Sequence, residues 1–233
     1  MYCPVISKLV DRPDRAIFQG RLMNKKRIIL DITMTLLSIM LMGGNHLFAA
    51  DIVHEIFGAG LIVLWAVHVV LNRKWYGAMF CGKYNAWRIM QTFINCCILL
   101  CAALLMISGI ILSNHIFALL NIQAGLGFAR IAHLLASHWY YLFMSLHIGL
   151  HVGRLFQDVT AKIIPRILLA IVCAYGIYAF IARGVWKYLI LRQQFFFFDL
   201  ERGYFLFAID YISIIILFAT LSHLMAEKLK KVR

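Results

Sequence analysis

Two pairs of histidines share one spacing: His54 and His68 are fourteen residues apart, and so are His133 and His147. On an α-helix, fourteen steps return to within about 40° of the starting face and rise about 21 Å, most of the height of a bilayer's apolar core. Ionisable side chains within apolar segments are costly and mark function by default. Neutral imidazole is also a good ligand for haem iron. If the two helices run side by side in the same direction, His54 comes opposite His133 and His68 opposite His147. Each pair then holds one flat macrocycle from both faces, as cofactor sites between facing helices of a bundle do. The expected chemistry is bis-histidine ligation of two haem b groups. Polar glue between helices accounts for one such histidine more readily than for two equal spacings.

Elements long enough to position these residues are plain in the composition. Of 233 residues, 63% are hydrophobic and 14% charged, where a soluble domain carries about 25% charged. The apolar runs are continuous rather than alternating, which predicts helices rather than a barrel. Six spans are expected, at Ile28–Gly44, Ile52–Leu71, Thr92–Leu112, Ile131–Val152, Ile167–Ala182 and Phe207–Met225. The fold class is an all-α integral membrane bundle. Residues 1–27 are expected to form a cytoplasmic N-terminal segment, 28–153 a four-helix haem-binding core, and 154–233 a two-helix extension with an outer interfacial segment. No small-residue cleavage site follows a short apolar core, so no cleavable signal peptide is expected.

Charge sets the expected orientation, since Lys and Arg favour the cytoplasmic side. Of the 23 basic residues, only Arg130, Arg183, Lys187, Arg192 and Arg202 fall on the other side of this six-span scheme. Both termini are thus expected in the cytoplasm of a multi-pass cell-membrane protein. The net charge of +13 reads as topology and lipid contact, and nothing resembles a nucleic-acid-binding module. The stretch Arg183–Tyr204 mixes cations with Trp186, Tyr188 and Phe195–Phe198, which suits a segment lying in the outer membrane interface.

Other residues fill out the haem reading. Small residues let a backbone approach a ligand: Gly58 and Gly60 follow His54, Gly149 and Gly153 follow His147, and Gly109 lies in a neighbouring helix. Haem propionates need cations, and Arg130 lies one turn outside His133 while Arg73 and Arg154 lie just inside the inner pair. Each of these arginines is equally readable as an interfacial snorkel. His151, one turn beyond His147, is an alternative inner ligand. His147 is preferred because it repeats the first pair's separation and keeps both inner ligands at one depth. His151 is left to bond a propionate or a quinone. His46, His115, His138 and His223 read as interface residues. The six cysteines contain no CxxC and read as small buried hydrophobes.

These residues carry a resemblance. His54-Glu55-Ile56-Phe57-Gly58 with Trp65, His68, Asn72 and Arg73, then Ser108-Gly109-Ile110-Ile111-Leu112-Ser113, Arg130 through His133, Trp139, and His147-Ile148-Gly149-Leu150-His151 together resemble the flavinylation-associated cytochrome family. That family is a cytochrome b-like membrane domain formerly of unknown function. The likeness covers about Asp31 to Gly153. Tyr175-Gly176-Ile177-Tyr178 and Phe197-Phe198-Asp199 resemble a C-terminal extension seen in some members. The resemblance implies a transmembrane electron conduit of the kind used in extracellular electron transfer, working with proteins that carry covalent flavin outside the membrane. It supports His54, His68, His133 and His147 as ligands. The chain has no obvious flavin-attachment segment, so any flavin is expected on a separate external partner.

The leading expectation is therefore a dihaem b-type cytochrome taking electrons from menaquinol or an inner-side donor and delivering them to an external flavoprotein. A membrane-anchor cytochrome b subunit of a quinone-linked oxidoreductase is a second reading. A haem-free, histidine-based metal or proton transporter is a third, with Asp31, Glu55 and Asp210 as its only relay acids. No GxSxG, P-loop or HExxH motif is present, so any enzymatic role would run through the haems.

Overall fold

The computed structural model describes residues 13–44, 51–80, 84–196 and 203–231, and within them the chain is helical with no strand. The elements are α1 (Pro13–Leu41), α2 (Asp51–Leu71), α3 (Arg73–Ala78), α4 (Ala86–Leu112), a 3₁₀ turn (Ala118–Leu120), α5 (Leu126–His151), α6 (Gly153–Ala161), α7 (Ile163–Ala182), α8 (Val185–Leu189) and α9 (Gly203–Lys231). Four of them, α2, α4, α7 and α9, are long and apolar enough to cross a membrane, and the chain is a helical membrane protein on that ground. The two remaining expected spans correspond to α1 and α5. Both are long enough, but α5 carries Arg130 and four histidines, and α1 carries a basic first half.

Local chemistry sets the ends that matter for the histidines. α2 opens on Asp51, an acid at the positive end of the helix dipole. It closes on Leu71, and the Asn72 amide donates to the His68 carbonyl at 2.8 Å, satisfying a carbonyl that a helix end leaves bare. Asn85 caps α4 by accepting from the Arg88 N–H at 2.9 Å, a standard N-cap bond. α5 starts after Gly125, whose φ of 77° suits a residue without a Cβ.

α5 is the hub. It packs along α4 on one side and α9 on the other, and α9 packs along α7. Their shared core joins Cys101 and Ala102 of α4, Tyr140, Tyr141 and Met144 of α5, Ala179 of α7 and Tyr211, Ile214 and Ile215 of α9. Two glycines allow the closest approaches. A Cβ on Gly149 would lie 2.1 Å from the Ala219 carbonyl oxygen, and one on Gly176 2.6 Å from that of Ser213. This is the small-residue packing by which membrane helices come together without a hydrophobic driving force. Gly149 is thus a helix-packing residue facing α9, not a residue that makes room beside His147 as expected from sequence. Gly153 likewise faces the His223 ring, at 3.6 Å.

The extension at 154–233 is integral to the bundle, because α9 seals the face of α5 that α4 leaves open. Its polar centre is buried: Arg183 Nε donates to Asp210 at 2.7 Å, with the two side chains 7% and 0% exposed. The Tyr175 hydroxyl donates to the same carboxylate at 2.5 Å. Arg183 is therefore tied into the bundle rather than free at the interface. α8 is tucked inward too, with Val185 and Tyr188 buried and the Trp139 indole donating to the Leu189 carbonyl at 3.1 Å. Residues Phe197 and Phe198 of the expected interfacial run lie outside the described residues, as does His46.

Candidate functional site: two opposed histidine pairs

α2 differs from the other long helices. It packs mainly on α1, and none of its residues is buried, although its composition is as apolar as a membrane span requires. The face it turns toward α5 carries His54 and His68. The His54 ring stands 6.4 Å from that of His133, centre to centre, at an interplanar angle of 61°. The His68 ring stands 6.4 Å from that of His147, at 71°. Because the earlier residue of each helix faces the earlier residue of the other, α2 and α5 run parallel.

The separation has a chemical meaning. Two imidazoles bonded directly to each other, with nitrogens about 2.9 Å apart, have centres about 5.1 Å apart. Two imidazoles ligating one metal ion from opposite sides, each at about 2.0–2.1 Å, have centres about 6.3 Å apart. Both pairs fall at the second distance.

The other ring nitrogens are held by partners from α1 and α4. His133 Nδ1 lies 3.0 Å from Ser108 Oγ. That hydroxyl gives its single proton to the Leu104 carbonyl at 2.6 Å, so His133 Nδ1–H is the donor. His147 Nδ1 lies 2.8 Å from Asn95 Oδ1, an acceptor. His68 Nδ1 lies 2.8 Å from the Asp31 carboxylate, also an acceptor. In all three the tautomer keeps the proton on Nδ1 and leaves the Nε2 lone pair to ligate. Metal-binding histidines are oriented in this way, by a partner on the far nitrogen. The backbone of Gly44 is within hydrogen-bonding reach of the His54 ring.

A cavity of about 310 Å³ opens at the His54/His133 pair, within the range of small-molecule and cofactor pockets. Gly58, Trp65, Leu105, Gly109 and Tyr140 are among its lining residues. A Cβ on Gly58 would meet nothing within 4 Å, and one on Gly109 would reach the His133 ring at 3.7 Å. Gly58 thus lines the cavity with open space at its Cβ position.

The remaining candidates fall into place around the pairs. His151 sits at the exposed end of α5 with its ring 4.6 Å from that of His147. Arg130 is exposed one turn before His133, and Arg73 is exposed at the start of α3. Arg154 lies in α6, its side chain outside the described residues. His138 and His223 are buried rather than interfacial. His138 stacks on Tyr188 at 4.2 Å, and His223 stacks on Phe156 at 4.7 Å. Asp210, a relay acid in the transporter reading, is the partner of Arg183.

Sequence reasoning missed the work of Asn95, Ser108 and Glu55, as it did the bond of Asp31 to His68. Asn95 and Ser108 hold the α5 histidines, and their spacing of thirteen on α4 nearly repeats that of the ligands, a signal that polar residues in an apolar helix offer. Glu55 is a clasp. Its carboxylate accepts from the Ser113 hydroxyl at 2.6 Å and from the N–H groups of Asn114, His115 and Ile116 at 2.8, 3.1 and 2.9 Å. It fastens the first turn of α2 to the end of α4, and so fixes the register of His54 against α5.

The arrangement defines a class: a helical membrane protein with two opposed imidazole pairs between parallel helices. Comparison with known proteins gives no match for the chain among family models, curated proteins or solved structures.

Proposed function

We propose that this chain is a dihaem b-type cytochrome that carries electrons across a membrane. The observation that carries the reading is the doubled opposition of imidazoles at 6.4 Å, with His68, His133 and His147 each oriented by a partner on Nδ1. Each pair supplies two ligands, and among the described residues no group of three or more His, Cys, Asp or Glu side chains could hold a bare metal ion. Two axial nitrogens are what a haem, which brings its own four equatorial nitrogens, requires of a protein. When bound, a bis-histidine haem supplies one-electron transfer with no open coordination position.

The chain's own residues then divide the task. His54 and His133 would hold one haem, and His68 and His147 the other. Gly58 and Gly109 leave room for the ring between the helices. Asp31, Asn95 and Ser108 orient the imidazoles. Arg130 on one side and Arg73 and Arg154 on the other offer charge to propionates. α1 and α5 complete a six-span bundle in this reading, with α5 sheathed by α4 and α9 and its His138 and Ser145 buried. Both termini lie in the cytoplasm of a cell-membrane protein, which puts the His68/His147 pair inside and the His54/His133 pair outside. Menaquinol or another inner-side donor supplies electrons near His151, and an external flavin-bearing protein accepts them.

The test is a reduced-minus-oxidised spectrum of the purified protein, with haem per chain measured as the pyridine haemochrome. Two b-type haems are expected. A colourless protein from haem-replete cells would sink the reading.

A further inference from the structure

The two sites share a geometry but not a charge. His68 gives its Nδ1 proton to a carboxylate, Asp31, at 2.8 Å, whereas His147 has the neutral Asn95 and His133 the neutral Ser108. A carboxylate on the far nitrogen pulls the proton toward itself and makes the imidazole a stronger donor to its metal. A stronger donor and a nearby negative charge both favour the more positive, oxidised iron. From this, resting on the dihaem reading, we infer that Asp31 sets the reduction potential at the His68/His147 pair below that at the His54/His133 pair and so gives the conduit its direction. Haems held at the two pairs would then supply one-electron transfer from the His68/His147 side, fed by a quinol or reduced carrier, to the His54/His133 side, where a flavin would accept.

The acids near the first pair, Glu55 and Asp51, are placed differently from Asp31. The Glu55 carboxylate faces three backbone N–H groups and a hydroxyl, whose dipoles offset its charge. Asp51 is exposed at the first turn of α2, where counter-ions screen it. Asp31 is itself 54% exposed, but its effect is delivered through a hydrogen bond rather than through distance. Its threonine neighbours Thr33 and Thr35 bond only to carbonyls of their own helix, Ile29 and Asp31, and do not compete for the ring.

The experiment is an optical redox titration of the full chain in lipid nanodiscs. Wild type is expected to titrate with two separated potentials, the lower one retained in His54→Ala and absent in His68→Ala. Asp31→Asn should raise the lower potential and leave the upper one in place, and Asp31→Glu should restore it. Asn95→Asp, which puts a second carboxylate on the same site, should push the lower potential further down, and it carries the test if Asp31→Asn loses haem. The inference is overturned if Asp31→Asn retains two haems and moves neither potential or the upper one, or if Asn95→Asp leaves the lower one unchanged. A wild-type protein without two haems would instead overturn the dihaem reading itself.

Discussion

At the His54/His133 pair, the rings face each other over an apolar cavity, and the α2 end that carries His54 is clasped to α4 through Glu55. At the His68/His147 pair, the ring separation is the same, but Asp31 and the ring of His151 crowd the site and the ends of both helices are near. One helix pair thus builds two sites of equal reach in unlike surroundings. Equal reach follows from the shared fourteen-residue repeat on parallel helices. Unlike surroundings follow from what the neighbouring helices supply: the Ser108 hydroxyl and clasped loop of α4 at one end, and Asn95 of α4 with the Asp31 carboxylate of α1 at the other. The comparison teaches that ligand spacing and site tuning are written in different elements.

Removing ligands should break the comparison most sharply. His133→Ala should lower haem content from about two per chain to about one while leaving the second site loaded, and His147→Ala should do the converse, as read by pyridine haemochrome. Loss of both haems from either variant would mean that the sites are not independent.

Filling the cavity comes next. Gly58→Leu projects a side chain into open space at the first pair and should exclude its haem without touching the second. Gly149→Leu strikes the Ala219 backbone instead. Overpacking of that kind costs about 1–3 kcal/mol or more, so it should lower the thermal midpoint of the whole bundle with no preference between sites. A spectrum and a melting curve on both variants separate the two outcomes.

Loosening the clasp is a smaller change. Glu55→Gln replaces charge-assisted bonds, each contributing about 1.5–3 kcal/mol, with neutral ones. Haem affinity at the first pair should fall while the second is unchanged, measured by haem transfer to apomyoglobin. The smallest effect is expected for Ser108→Ala, which frees the far nitrogen of His133. Loss of such a partner typically costs about 10–100-fold in metal affinity, and a neutral hydroxyl should fall at the low end. Equal losses at both sites in either variant would erase the distinction between them.

Much of the fold is legible in the sequence. Long apolar runs predict helices, and helices lie at all six expected positions, four of them long and apolar enough to cross a membrane. Boundaries ran longer than expected, as at Ala86–Leu112 against Thr92–Leu112, since polar residues extend a helix beyond its apolar stretch. His54, His68, His133 and His147 were legible too, because a periodic spacing on a helix is a statement about facing. What Gly149 does was not legible, since glycine beside a ligand and glycine beside a helix look alike in a sequence. The burial of Asp210 and Arg183 was hidden for a similar reason: their partnership joins α7 to α9 across 27 residues.

By itself, then, the sequence determined a helical membrane protein with four histidines at two matched depths, because composition and helical period are local properties of the chain. The tertiary structure decided which rings oppose which, that α2 and α5 stand one imidazole pair apart, that Asp31, Asn95 and Ser108 serve the site from other helices, and that Glu55 clasps α2 to the end of α4. Those are distances between residues far apart in the chain, and only the packing of α5 against α4 and α9 fixes them.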